Sequence, residues 1–230
     1  MTAERERERE LWRLICAQKE ASSWDDWQAW NRLYVQRTQP GLKRVLAAYD
    51  QEYDAERVMA QAHAERADLL RTRRTLYTYG ETSWLTFAEV LKTLAVTSQD
   101  RFIDLGCGHG QLLFWVHLLH RIPVQGVEIT PAFVTAGQRI AQHLQLPQVT
   151  FVAGDLLTID LSTWTVAYMT CTCFDDDYMA QLASHVGAMP TGARIATVTR
   201  PLVSPHFQRV CRLPGRFNWG ADEVWVYRRL

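Results

Sequence analysis

The run Phe102-Ile103-Asp104-Leu105-Gly106-Cys107-Gly108-His109-Gly110 constrains this chain more than any other stretch of it. An apolar strand enters three glycines at alternate positions and then an apolar helical window beginning near His109, so the unit reads strand, tight turn, helix. Glycines there let the backbone approach a ligand closely, and the free amides of the helix start offer donors to a polar or anionic group. A dinucleotide fingerprint is spaced G-x-G-x-x-G. Here the spacing is D-x-G-x-G-x-G, with Asp104 still inside the strand.

Two more acids fall where such a site needs them. Eighteen residues past Gly110 the run Val124-Gln125-Gly126-Val127 ends at Glu128, whose carboxylate can accept from both hydroxyls of a ribose. The following run, Val149 to Val152, leads to Gly154-Asp155-Leu156, which sets a carboxylate beside an apolar side chain, as the exocyclic amine and face of an adenine require. Each acid alone could be a helix cap, and for Asp155 in isolation that is the better reading. Three acids at the carboxyl ends of three successive strands resemble the class I methyltransferase fold, whose cofactor is S-adenosyl-L-methionine.

The rest of the chain divides into two patterns. Residues 1 to about 75 are charge-rich and helical in period, with Pro40-Gly41 starting a long helix that runs to about Arg71 on an apolar stripe of Leu42, Val45, Leu46, Tyr49, Tyr53 and Met59. Trp24, Trp27, Trp30 and Tyr34 share one face of an earlier helix and are expected to pack against a neighbour. From Tyr77 onward β-rich runs alternate with helical windows. Strands are predicted at 101–105, 123–127, 149–152, 164–169, 193–199, 207–212 and 223–229, and helices at 82–95, 109–121, 131–145 and 176–187. The last two strands are separated only by Pro214 to Gly220 and should pair as an antiparallel hairpin. The expected fold is α/β: a Rossmann-like class I methyltransferase with a seven-stranded, mostly parallel sheet. An N-terminal helical region (1–75) would serve as cap or docking surface for the methyltransferase domain (76–230).

Motifs outside the loop narrow the resemblance. Tyr79-Gly80-Glu81-Thr82 precedes the first strand, Gly192-Ala193-Arg194-Ile195 leads to Arg200-Pro201-Leu202-Val203-Ser204-Pro205, and Phe217-Asn218-Trp219-Gly220 precedes Val224-Trp225-Val226-Tyr227. This set, over roughly residues 77 to 230, resembles the non-SET histone lysine methyltransferases of the disruptor-of-telomeric-silencing type and their prokaryotic relatives. The resemblance implies that Tyr79, Glu81 and Thr82 fold over the methionine part of the cofactor. It puts Glu128, Asp155 and Leu156 on the ribose and adenine, and Asp104, Gly106, Gly108, Gly110 and Gln111 are expected to bind the cofactor as well. Trp219 would stand near a lysine channel. The family's Asn-Asn-Phe-type segment after the fourth strand is replaced by Thr170-Cys171-Thr172-Cys173-Phe174, which has no side-chain amide to position an acceptor nitrogen. Cys171, Thr172, Phe174 and Trp219 are therefore acceptor-site candidates without assigned catalytic roles.

Methyl transfer from a sulfonium is an in-line displacement served by orientation and desolvation, so the lack of a catalytic triad is no objection. A lysine acceptor must first lose its proton, at a cost of roughly 4.6 kcal/mol from a pKa of about 10.4 at pH 7, and an apolar channel lowers that cost. Cys171 and Cys173 are read as packed thiols, ahead of a nucleophile or a metal pair; no metal is expected. Asp175-Asp176-Asp177 is read as a helix cap ahead of a lure for a cationic substrate. His109, His117 and His120 read as packing or surface residues.

Twenty-five basic residues balance twenty-five acidic ones, so no long-range field draws in nucleic acid or an anionic membrane. The arginines at 200, 209, 212, 216, 228 and 229 read as a solvated face. Nucleic acid ranks low further because the Asn/Asp-Pro-Pro-aromatic pattern of base-amine methyltransferases is absent. Five irregularly spaced cysteines suggest a reducing compartment, and neither a signal peptide nor a spanning segment is evident, so a cytoplasmic protein is expected. The expected activity is methylation of a protein, first at lysine. A small-metabolite methyltransferase and a cofactor-binding interaction protein without turnover are the alternatives.

Overall fold

The computed structural model describes residues 32–35, 39–53, 60–65, 67 and 80–230. Trp24, Trp27, Trp30, Met59, Tyr79 and the expected boundary near residue 75 lie outside the described residues. Seven strands form one sheet in the order β3-β2-β1-β4-β5-β7-β6. They are β1 (Phe102–Leu105), β2 (Val124–Glu128), β3 (Val149–Ala153), β4 (Val166–Thr170), β5 (Arg194–Val198), β6 (Phe207–Phe217) and β7 (Gly220–Arg229). The first five run parallel, and β7 enters antiparallel between β5 and the edge strand β6.

All four residues of β1 are buried, as a central parallel strand covered on both faces must be. One face packs against α1 (Lys43–Tyr53), α2 (Trp84–Leu94) and α3 (Gln111–His120), with α4 (Pro131–His143) along β3; α5 (Asp176–His185) covers the other. Tyr34, Val35, Leu42, Val45 and Tyr49 belong to the same cluster as Trp84, Phe114 and Trp115, so the described N-terminal helix shares its core with the sheet. Tyr34, the one described member of the aromatic stripe, meets Trp115 edge-on at 6.4 Å.

Local chemistry sets the helix ends. Ser83 caps α2 by accepting from the Thr86 amide at 3.1 Å. Pro131 opens α4, where its missing N–H costs nothing. His117, read as a packing or surface residue, is buried and bonds through Nδ1 to the Ile122 carbonyl at 2.8 Å, tying the end of α3 to the start of β2.

The hairpin corrects the sequence expectation of a loop from Pro214 to Gly220. β6 continues through Phe217 and the chain reverses on Asn218-Trp219, with Gly220 at φ 125°. Pro214 is tolerated because β6 is an edge strand, where a residue without an N–H can pair on one side only. A register shift between Arg209 and Cys211 absorbs one extra residue.

Because β1 pairs with both β2 and β4, the connections leave it toward opposite sides, and a crevice opens at the carboxyl ends of these strands. Every element of the candidate site meets there.

Candidate cofactor cleft

The glycine loop follows β1 directly. Gly106, Gly108 and Gly110 have φ of 90°, 51° and 74°, the left-handed region that side chains other than glycine enter at a cost. Gly110 carries a second demand, since a Cβ there would lie 2.2 Å from the Phe151 ring. At Gly106 a Cβ would meet nothing within 4 Å, so its backbone faces open space. The Gly106 and Cys107 amides both donate to the Val127 carbonyl, at 2.9 and 3.0 Å, fixing the loop to β2.

Glu128 ends β2 and is buried. Its Oε2 accepts from the Gly108 amide and its Oε1 from the Thr130 amide, both at 2.9 Å. A carboxylate offers about four acceptor positions, so each oxygen keeps capacity for a ligand hydroxyl. Asp104 is also buried, and its carboxyl makes no hydrogen bond among the described residues. Burial and then the neighbouring charge of Glu128 push its pKa up to about 8.

Asp155 does act as a cap, accepting at Oδ1 from the Leu157 amide at 3.1 Å, and the same oxygen accepts from the Tyr178 hydroxyl at 2.7 Å. Leu156 is buried beside it. Together these groups line a cleft of about 1190 Å³, counted to its open mouth. Glu81, Thr82, Asp104, Gly106, Gly108, Gly110, Gln111, Glu128, Asp155 and Leu156 all face it.

The other half of the cleft is differently built. Thr170, Thr172, Cys173 and Phe174 enter from the end of β4, facing Thr82, Trp84 and Tyr168. Thr82 Oγ1 and the Tyr168 hydroxyl are 2.7 Å apart at the floor, and burial raises the Tyr168 phenol, keeping it protonated. Phe174 packs on Tyr178 with ring centres 4.9 Å apart.

Two acceptor candidates lie elsewhere. Cys171 is fully buried on the α5 side of the sheet, because successive residues of an extended chain point to opposite faces; burial pushes its thiol up, away from a thiolate. Trp219 does not line the cleft. Its ring covers Gly80, where a Cβ would lie 2.3 Å from Cζ3, and its Nε1 donates to Asp222 at 3.0 Å. Glu81 and Asn218 hold each other in place, Glu81 N donating to Asn218 Oδ1 at 2.8 Å and Asn218 N to the Glu81 carbonyl at 3.1 Å. Asp175 caps α5 through the Tyr178 amide at 2.8 Å, and Asp176 pairs with Arg200 while remaining exposed.

Trp84, Phe133, Tyr168 and Tyr178 line the cleft although no sequence reading had placed them there. Tyr178 alone left a trace, one turn into the helix that Asp175 begins.

A family model described as a methyltransferase domain matches residues 96–191, which hold the glycine loop, Glu128, Asp155 and the segment after β4. Residues 96–191 thus match a methyltransferase domain, within a sheet that has the Rossmann-like methyltransferase fold. An uncharacterized RNA methyltransferase of Nitratidesulfovibrio vulgaris is 36% identical over 72 residues, which are 31% of this chain and 15% of that protein. The match thus spans only a small part of the curated relative. Among solved structures, an RNA methyltransferase from Salinibacter ruber in complex with S-adenosyl-L-homocysteine has a TM-score of 0.55 at 20% identity, covering 65% of this chain and 93% of that one. The geranyl diphosphate C-methyltransferase of Streptomyces coelicolor has a TM-score of 0.51 at 16% identity, covering 63% and 78%. At these identities the likeness is one of fold.

The cofactor fits the residues present. Glu128 retains acceptor capacity, Asp104 presents a buried carboxyl that makes no hydrogen bond among the described residues, and the Gly106 backbone is open. Among the described residues no helix is long and apolar enough to cross a membrane.

Proposed function

We propose that the chain transfers the methyl group of S-adenosyl-L-methionine to an amine of a protein substrate, first a lysine side chain. The observation that carries this reading is that one cleft is lined both by carboxylates and loop amides and, around the end of β4, by hydroxyls and aromatic rings. In this reading Glu128 holds the ribose hydroxyls, Asp155 and Leu156 the adenine, and Asp104, Glu81, Thr82, Gly106, Gly108, Gly110 and Gln111 surround the methionine part. The bound cofactor supplies an electrophilic methyl on a cationic sulfur.

The residues on the acceptor side then do two things. Tyr168, Trp84 and Phe174 disfavour a charged ammonium, so an amine that enters gives up its proton more readily than in water. Of the acids that follow Phe174, Asp176 is paired with Arg200, which leaves the exposed Asp177 carboxylate to favour approach of a cation from outside. Thr170, Thr172 and the Thr82–Tyr168 pair offer neutral oxygens to orient the nitrogen. Residues 1–75 serve as a cap, a role supported by the packing of α1 against α3 and α4.

A second reading, methylation of RNA, is favoured by the names of two similar proteins, and it raises nucleic acid above its sequence-based rank. Incubation of an extract with methyl-labelled cofactor separates the readings. Label that protease removes and ribonuclease leaves supports the amine reading; label released by ribonuclease replaces it with the second. Label confined to small molecules rejects both.

A further inference from the structure

The carboxylate of Glu128 is held by two pieces of backbone that are themselves held from outside the sheet. Gly108 N donates to its Oε2 and Thr130 N to its Oε1. One residue beyond Gly108, the His109 carbonyl accepts from the Tyr49 hydroxyl at 2.5 Å. Two residues beyond Thr130, the Ala132 amide at the start of α4 donates to Glu65 Oε2 at 2.9 Å. Tyr49 lies on α1 and Glu65 in the helical stretch 60–65, so both tethers come from the N-terminal helices.

Neighbouring contacts reinforce each tether. The Tyr53 ring lies 4.6 Å from that of His109, and His109 meets Phe133 edge-on at 4.6 Å. Glu65 Oε1 accepts from Gln61 Nε2 at 2.9 Å, which fixes the carboxylate, and Arg139 on α4 pairs with Glu52 on α1 at 3.1 Å. Burial keeps the Tyr49 phenol protonated and therefore a donor.

A glycine loop with three positive φ angles gains little rigidity from its own sequence, because glycine moves between backbone regions at small cost. Its position must be imposed by contacts. We propose that Tyr49 and Glu65 are positioning residues: by fixing the His109 carbonyl and the start of α4 they set the two amides that aim the Glu128 carboxylate at the cofactor ribose. The inference rests on the reading of this cleft as the cofactor site, with Glu128 on the ribose. It gives the N-terminal helices a part in cofactor affinity as well as in covering the cleft.

The test uses the full chain and variants Tyr49→Phe, Glu65→Ala and Glu65→Gln. Calorimetry would measure S-adenosyl-L-homocysteine, 5′-methylthioadenosine and the 2′,3′-dideoxy analogue of the latter. Tyr49→Phe and Glu65→Ala should each weaken the first two ligands about three- to tenfold, the scale of one lost hydrogen bond. The dideoxy analogue, with no hydroxyls for Glu128, should bind each variant as it binds the parent. Glu65→Gln keeps an acceptor for Ala132 and should recover most of the affinity. A loss that extends equally to the dideoxy ligand would mark a general structural effect and overturn the proposal, as would unchanged binding of all three. If Tyr49→Phe does not fold, the half-buried Glu65 pair of variants decides alone. Failure of the parent protein to bind S-adenosyl-L-homocysteine would instead overturn the cofactor reading beneath it.

Discussion

The two halves of the cleft are held in different ways. At the cofactor end main chain lines the site and contacts hold it: Gly106, Gly108 and Gly110 bring the backbone close at positive φ, the loop amides are divided between the Val127 carbonyl and Glu128, and Asp104 adds a buried carboxyl. At the acceptor end no residue from Tyr168 to Phe174 has a positive φ, and side chains define the wall, namely Tyr168, Phe174 and the Thr82 hydroxyl. A site made of backbone tolerates little substitution, because each residue is chosen by a dihedral angle or a contact distance. A wall of side chains can exchange members while the scaffold stays folded. Substitutions in the first half should therefore cost stability or cofactor affinity, and those in the second should change turnover.

The largest effect should follow Gly110→Ala. The new Cβ would sit 2.2 Å from Phe151 Cε1 in a residue at φ 74°. Left-handed backbone and overpacking each cost about 1–3 kcal/mol, so thermal unfolding should show a loss of roughly 2–6 kcal/mol. A melting point equal to that of the parent would show that the loop moves freely, against the contrast drawn here.

Glu128→Ala comes next. It should leave the fold largely intact and weaken S-adenosyl-L-homocysteine by about 1–3 kcal/mol, read by calorimetry. Phe174→Ala, its counterpart in the other half, should leave that affinity alone while lowering turnover of an amine acceptor. Equal losses of cofactor affinity in the two variants would erase the distinction.

The buried carboxyl gives the contrast a pH signature. In the folded state burial, and then the charge of Glu128, raise the Asp104 carboxyl to about 8 from its ordinary value of 3.8. Between these values the folded state holds a proton that the unfolded state releases, so this group's contribution is fully present below about pH 4 and is lost as pH rises through about 8. Denaturant unfolding across that window should show stability falling with pH by at most about 1.4 kcal/mol per unit from this group, and Asp104→Asn should flatten the slope. Because a cationic ligand would favour the ionised form, bound S-adenosyl-L-methionine should flatten it as well. A slope unchanged in Asp104→Asn would remove Asp104 from the account.

The same division explains what could be read in advance. The strand, glycine loop and terminal acids were legible because backbone requirements leave a fixed spacing in the sequence: only glycine suits Gly106 and Gly110, and Glu128 must follow a strand. The hairpin was legible as a pairing but not in its turn, since Pro214 reads as a breaker until β6 is known to be an edge. The aromatic lining of the cleft was least legible. Tyr168 lies on β4, Trp84 on α2, Phe133 on α4 and Tyr178 on α5, and only the packing of those elements brings the rings together. Glu65 is more remote still: no local pattern marks a glutamate that accepts from the amide of residue 132.

The smallest predicted effect separates two cysteines that sequence reading had treated together. Cys171 is fully buried with its Sγ toward the Met169 carbonyl, whereas Cys173, two residues on, lines the cleft. Cys171→Ser puts a hydroxyl where the thiol had only a weak local partner at 3.7 Å, and should cost about 1–3 kcal/mol in denaturant unfolding. Cys173 is partly exposed at the cleft, so Cys173→Ser should change stability by no more than about 0.5 kcal/mol, with any effect confined to turnover. Iodoacetamide should label Cys173 ahead of Cys171, and bound S-adenosyl-L-homocysteine should slow that labelling, because the ligand would fill the space in front of the sulfur. Labelling of Cys171 at a similar rate would mean that the chain after β4 opens in solution, and the acceptor wall would then owe its shape to the ligand.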